Sequence, residues 1–393
     1  MNQNIVQRKK QNRIQSIDLL RGLIIVIMAL DHTRAFWGKT AFEPTDLTQA
    51  DASWFFTRWI THFCAPLFVF LSGISAYLYY QKCQSKTQLR NFLLTRGLWI
   101  IFLEITIINF SWQFAYYAIF VQVLWVIGWS MIILALLIYL PRTWILGISL
   151  IVIGLHNAID DSWMTELFGE NAWKLLHVQG WIPISAQNFG VFVMYPLIPW
   201  FAVMSLGYIL GDLYLLNYQR RKQYLVLFGA FCILLFSLLR LVIDYGDPFV
   251  WTYSVKNSFL ELFNTSKYPP SLQFLLMTIG PGLIVLALLE KYQSKFEEHK
   301  LYQWILTIGK VPMFFYLLHV PFINFSAQIY TWLKFDRAVN FNLVPPNSWP
   351  QEYSPNLLVV YLVWVAIVFV LYFPCRKYSR FKQQNKNPWL SYI

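Results

Sequence analysis

The sequence predicts an all-α fold, a polytopic transmembrane helical bundle of about ten spans with both termini cytoplasmic, and three observations carry that prediction. Of the 393 residues, 57% are hydrophobic and only 13% charged, against roughly 25% charged in an average soluble domain; the mean hydropathy is +0.46. Apolar runs near the spanning length of about 20 residues recur at 17–37, 54–80, 91–113, 121–140, 143–159, 191–214, 223–243, 271–290, 304–331 and 356–375. The basic residues follow these runs asymmetrically. With the N-terminus inside, nineteen Lys and Arg, from Arg8 to Lys386, fall on the cytoplasmic side, and six (Lys39, Lys174, Lys256, Lys267, Lys334 and Arg337) fall outside. That positive-inside bias sets the orientation. The net charge of +12 is then a mark of topology, and no nucleic-acid partner is expected.

Taken in order, the first run is interrupted by Asp18, Arg21, Asp31 and His32 and has no small-residue cleavage site, so it reads as a retained span and not a signal peptide. The second carries Arg58 and His62. The third carries Arg96, Glu104, Asn109 and Gln113, and the fourth opens at Gln122. The seventh holds Arg240, which at i,i+4 suits an ion pair with Asp244. The ninth holds Lys310, His319, Asn324 and Gln328 and should bend at Pro312 and Pro321. Long outer loops at 38–53, 160–190, 244–270 and 332–355 are rich in Trp, Pro, Asp and Asn and could cover a site from outside. No repeat or linker divides the chain, so residues 1–393 are one membrane domain, with basic cytoplasmic tails at 1–16 and 376–393. Cys64, Cys83, Cys232 and Cys375 lack metal or redox spacing and read as packing residues.

Chemistry is expected where polar side chains interrupt apolar spans, because a charge in hydrocarbon costs several kcal/mol, about 2.5–3.5 on insertion scales, and turns toward a partner or cavity. Asp18, Arg21 and His32 share a face of the first span, and Arg21 and His32 are separated by about 16 Å along its axis. A cation near the inner end and an imidazole deeper on the same face suit a ligand entering phosphate-first, as acyl-coenzyme A would. Imidazole is also the usual proton acceptor near neutral pH. Against this stands a plainer reading in which Asp18 and Arg21 form an interfacial pair and His32 satisfies a carbonyl. Arg58 and His62, at i,i+4, share a face near His32 in depth. Glu104, a lone carboxylate, needs a cation or a proton, with His32, Arg58 and Arg240 as candidate partners. His156, His177 and His299 fall at a span end or in loops, without metal spacing, and no metal is expected.

The stretch Ser16-Ile17-Asp18-Leu19-Leu20-Arg21-Gly22, continuing through Met28 to Asp31-His32, resembles the first span of the heparan-alpha-glucosaminide N-acetyltransferase catalytic-domain family. It is also similar to the first span of membrane acyltransferases that O-acetylate surface polysaccharides. Pro66-Leu67-Phe68-Val69-Phe70-Leu71-Ser72-Gly73 resembles the family's second span. Related runs recur at Phe92–Gly97, Tyr195–Trp200, Tyr268–Leu272 and Gly309–His319. The resemblance implies transfer of an acyl group, most simply acetyl, from cytoplasmic acyl-coenzyme A to a sugar or glycan acceptor on the outer side of a bacterial inner membrane, with a homo-oligomer left open. On that basis His32 is the expected general base, matching the catalytic histidine of the O-acetylating relatives, with His62 and Glu104 as further catalytic candidates. Arg21, Arg96 and Lys310 would contact the coenzyme, and Asp31, Arg58 and His319 the substrate. Residues 38–53 contain no histidine where the N-acetylating relatives have theirs, so amine and hydroxyl acceptors both stay open, as do direct transfer and an acyl-histidine intermediate. The alternative from another class is a transporter or lipid-handling protein with a buried His/Arg/Glu path.

Overall fold

The computed structural model describes residues 14–185, 189–249, 251, 258–385, 387, 390 and 392. Arg8, Lys9, Lys10, Arg13, Lys256 and Lys386, used above for orientation, lie outside the described residues.

The chain begins with α1 (Gln15–Trp37), an apolar helix broken by Asp18, Arg21, Asp31 and Arg34. A continuous stretch, Ala52–Cys83, then forms α2 (Ala52–Trp59), a tight 3-10 turn at Ile60–Phe63, and α3 (Cys64–Cys83). Asp51 caps it by accepting from the backbone N–H groups of Ser53 at 2.8 Å and Trp54 at 3.1 Å. Pro66 has no N–H to offer the His62 carbonyl, and the chain tightens just before it. α4 (Lys86–Leu103) passes through a π turn at Glu104–Ile108 into α5 (Asn109–Gln113), which Phe114 ends in the left-handed region.

β1 (Ile119–Val121) leads into α6 (Val123–Leu137). Here the polar residues of the third span find their partners. Asn109 donates to the carbonyls of Glu104 at 2.8 Å and Phe120 at 2.9 Å and accepts from Phe120 N–H at 2.7 Å. Gln113 likewise donates to Ala118 O and accepts from the N–H groups of Tyr117 and Ala118. Both side chains therefore satisfy backbone groups that would otherwise be orphaned in the bundle.

α7 (Arg142–Leu155) is followed by a 109° bend and α8 (Asp161–Phe168), then α9 (Glu170–Leu176). β2 (Gly180–Pro183) and β3 (Gly190–Val193) join β1 in a sheet of order β1-β3-β2, with β1 parallel and β2 antiparallel to β3. Two expectations change here: the 160–190 loop is partly helical, and the run at 191–214 starts as a strand before α10 (Trp200–Leu210). The sheet is a small exception in an otherwise all-α fold.

α11 (Tyr218–Leu238), α12 (Ser258–Phe263), α13 (Leu272–Phe296), α14 (Lys300–Lys310), α15 (Pro312–Phe335) and α16 (Leu357–Gln384) complete the chain. The ninth run does bend at Pro312, as the sequence implies, and the bend is sharp. It divides into α14 and α15 at an angle of 92°, with Lys310 at the elbow and Pro312 in the first turn of α15, where its missing N–H costs nothing.

Each of the ten apolar runs contains a helix. Five helices are long and apolar enough to cross a membrane, or up to seven if each bent pair is one span. α1 fails that test on its charges, and Val123–Leu137 and Trp200–Leu215 are shorter apolar helices. α3 and α13 lie inside the bundle, whereas α11 and α16 present apolar side chains outward, with Leu234 70% and Leu362 62% exposed. Such an apolar exterior suits lipid, not water.

α1 packs against α14, α15, α13 and α16. A Cβ on Gly309 would stand 1.8 Å from the Asp18 carbonyl oxygen, and one on Gly22 would stand 2.1 Å from that of Ile305. Only glycine permits this approach, the small-residue packing typical of membrane helices. It brings Lys310 beside Asp18 and Arg21.

Candidate functional site

Two cavities flank the middle of α1. The first, about 940 Å³, is lined by Asp18 and Arg21 of α1, Ser72, Ser75 and Lys82 of α3, Arg96 of α4, Lys310 of α14 and Lys382 of α16. Five cations thus face one carboxylate, a wall suited to a polyanion. Arg21 donates to Asp18 Oδ1 at 3.3 Å, to the Leu71 carbonyl at 3.4 Å and to Ser75 Oγ. The plainer reading of Arg21 as the partner of Asp18 is therefore realised, and the residue lines the cavity as well. The Arg96 guanidinium lies 5.6 Å from the centre of the Phe92 ring. Sequence reasoning missed Lys82 and Lys382 because both read as positive-inside charges; the signal for Lys82 was its place seven residues after Ser75, on the same helix face.

The second cavity, about 650 Å³, is lined by Asp31, His32 and Arg34 of α1, Arg58, His62, Lys39, Tyr195, Lys267 and Tyr268, among others. Asp31 is fully engaged: Oδ2 accepts from Arg58 at 2.6 Å and Oδ1 from Arg34 at 3.0 Å. Asp31 and Arg58, expected to contact substrate, therefore face the cavity as one ion-paired unit, with Arg34, a polar interruption of the first span with no role expected of it, as a third member. His62 packs its ring against Phe274 with centroids 5.4 Å apart, and its Nδ1 has no hydrogen-bond partner among the described residues. Tyr268 donates to the Tyr195 hydroxyl at 3.4 Å, so two of the family-like runs meet on this wall. Lys267 is only 9% exposed. In the loop after α1, burial is the largest influence on Lys39 and lowers its pKa, with Glu43 opposing it.

His32 and His319 form a pair across α1 and α15. His32 Nδ1 lies 2.7 Å from His319 Nε2, with the rings stacked at 4.9 Å. His319 Nδ1 lies 2.8 Å from the Tyr316 carbonyl and 3.2 Å from that of Phe315. Carbonyls only accept, so in the neutral pair the proton of His319 is on Nδ1 and its Nε2 receives the Nδ1–H of His32. The lone pair of His32 is then on Nε2. His319 is fully buried and, among the described residues, forms part of neither cavity wall. It stands behind His32, on the side away from the cavity that His32 lines.

Two other expectations are also revised. Glu104 is fully buried and, among the described residues, lines neither cavity; Oε1 accepts from the Gln122 N–H at 3.1 Å, at the N-terminus of α6. Oε1 thus meets a helix end, where a carboxylate is favoured, and not His32, Arg58 or Arg240, and Oε2 has no hydrogen-bond partner among the described residues. Arg240 donates to the carbonyls of Phe249 at 2.5 Å, Glu261 at 2.7 Å and Asn264 at 2.9 Å. It gathers the outer loop instead of pairing with Asp244. Away from both cavities, His177 bridges Asp161 Oδ1 at 3.0 Å and His156 Nδ1 at 3.2 Å. Among the described residues no group of three or more His, Cys, Asp or Glu is arranged to hold a metal ion.

The two cavities share three wall residues, Phe68, Val123 and Tyr316. One is basic and the other presents an imidazole with an available lone pair, an arrangement able to hold a polyanion on one side and a nucleophile on the other. A family model described as the catalytic domain of heparan-alpha-glucosaminide N-acetyltransferase matches residues 13–239. No curated protein matches the chain.

Proposed function

From the premise that the chain belongs to the heparan-alpha-glucosaminide N-acetyltransferase catalytic family, and is an integral-membrane enzyme of that acetyltransferase type, we propose that it transfers acetyl from acetyl-coenzyme A to a sugar or glycan. The donor would occupy the Arg21 cavity from the cytoplasmic side, and the acceptor the His32 cavity from outside. The observation that carries this reading is the abutment of the two cavities at Phe68, Val123 and Tyr316. A donor with its phosphates among Arg21, Arg96 and Lys310 needs only a thin flexible arm to bring a thioester to that junction, and the pantetheine arm of coenzyme A has that form. Lys82 and Lys382 would add to phosphate binding.

His32 Nε2 is the general base in this reading, and His319 holds its ring and tautomer as a carboxylate does in other hydrolytic and transfer sites. The Arg34–Asp31–Arg58 unit shapes the acceptor side, where His62 and Lys267 would contact the sugar. The test is calorimetry of acetyl-coenzyme A binding to the full chain in detergent. Arg96→Ala is expected to weaken binding roughly ten- to a hundred-fold, about 1.5–3 kcal/mol, with Arg96→Lys restoring only part of it because the planar fork is lost. Unchanged affinity in folded Arg96→Ala would make this arginine structural.

The two-sided reading also requires an orientation. Reporters fused after Gln384 and next to Arg221 are expected to read cytoplasmic, and one inserted near Glu170 external. A cytoplasmic signal from Glu170 would remove the ten-span arrangement and the outside acceptor together.

A further inference from the structure

Tyr316 lies one helical turn before His319 on α15, and its side chain forms part of both cavity walls. Of the three residues at that junction, only Tyr316 carries a polar hydrogen on its side chain. It is 5% exposed. Its backbone carbonyl fixes the tautomer of His319 at 2.8 Å. Its ring stands edge-on to His32 with centroids 6.4 Å apart, and to His319 at 5.2 Å. The phenol oxygen makes no hydrogen bond to another described residue, and Tyr316 opens onto the two cavities it lines. A buried phenol normally has one. Here the group left to supply it is whatever enters the junction.

We propose that Tyr316 is a catalytic residue whose phenol donates a hydrogen bond to the carbonyl oxygen of the donor's thioester. This rests on the acyl-transfer reading above and adds to it the group that stabilises the developing charge. The acceptor's hydroxyl or amine attacks the carbonyl carbon, its proton passes to His32 Nε2, and the carbonyl π pair moves onto the oxygen held by Tyr316. Collapse restores C=O and breaks the C–S bond. The departing coenzyme A thiolate takes the proton from His32, so base and imidazole return to their starting state. One residue then links the two halves of the site: its main chain orients the histidine pair and its side chain meets the reacting oxygen.

Tyr316→Phe keeps the ring and its packing and removes only the hydroxyl. In the full chain in detergent, it is expected to bind acetyl-coenzyme A within about twofold of wild type while turnover falls by about 10²–10³-fold, the usual loss for one oxyanion donor. Turnover is read as coenzyme A release with glucosamine or water as acceptor. A second measurement does not depend on turnover: the infrared carbonyl band of bound ¹³C-acetyl-coenzyme A should lie at lower frequency in wild type than in Tyr316→Phe. Wild-type turnover in the variant, or identical carbonyl bands, would overturn this role for Tyr316 and leave the acyltransferase reading standing. A wild-type protein that neither binds nor turns over acetyl-coenzyme A would overturn both.

Discussion

His32→Ala is expected to lower acetyl transfer by about 10²–10⁴-fold, the contribution of a positioned acid–base group, with the affinity for acetyl-coenzyme A nearly unchanged. The separation is possible because the donor's cations line one cavity and His32 the other. Loss of the imidazole leaves His319 Nε2 without its 2.7 Å partner, but the vacated space opens on a cavity that water can fill, so a large fall in melting temperature is not expected. His319→Ala should cost less than His32→Ala, since it frees the base to turn without removing it, and its loss should fall on kcat with KM for the donor unchanged. The measurement is initial rate against acetyl-coenzyme A concentration, with thermal unfolding followed in the same detergent. A His32→Ala protein that keeps wild-type turnover would falsify the mechanism and leave the pair as a packing feature.

The helices were legible because the apolar runs were long and their polar interruptions few. The stripe of Asp18, Arg21 and His32 was legible from helix periodicity alone, and it does join the two cavities along α1. What periodicity could not carry was any pairing between distant segments. His32 and His319 meet across 287 positions, so the sequence offered two deep histidines and no reason to join them. The bend at Pro312 was legible from the proline, but its 92° size was not, because hydropathy runs unbroken through it and proline inside a membrane span is often tolerated. Glu104 and Arg240 misled for a shared reason: charged partners were considered for each, whereas the hydrogen bonds of Glu104 Oε1 and most of those of Arg240 go to backbone groups at a helix end and in the outer loop. Tyr316 drew no notice, since one tyrosine among 23 carries no signal until two cavities are seen to meet at it.

Asp31→Ala is expected to destabilise the fold more than any other change at the site. Both carboxylate oxygens are used, by Arg58 at 2.6 Å and Arg34 at 3.0 Å, and the three side chains are largely shielded from solvent. Removing the acid leaves two guanidinium groups facing each other without compensation, and breaking such a buried pair costs about 3–5 kcal/mol. Asp31→Asn retains one acceptor and should cost less. If the loss arises from stranded charge, adding Arg58→Leu to Asp31→Ala should restore part of the stability, because one of the repelling cations is gone; independent effects would instead add. Unfolding free energies of the two single variants and the double variant, measured by denaturant titration in one detergent, separate these cases. A stable Asp31→Ala protein would show that water or lipid headgroups already neutralise the two arginines, and the acceptor cavity would then be open to solvent and not sealed by an ion-paired wall.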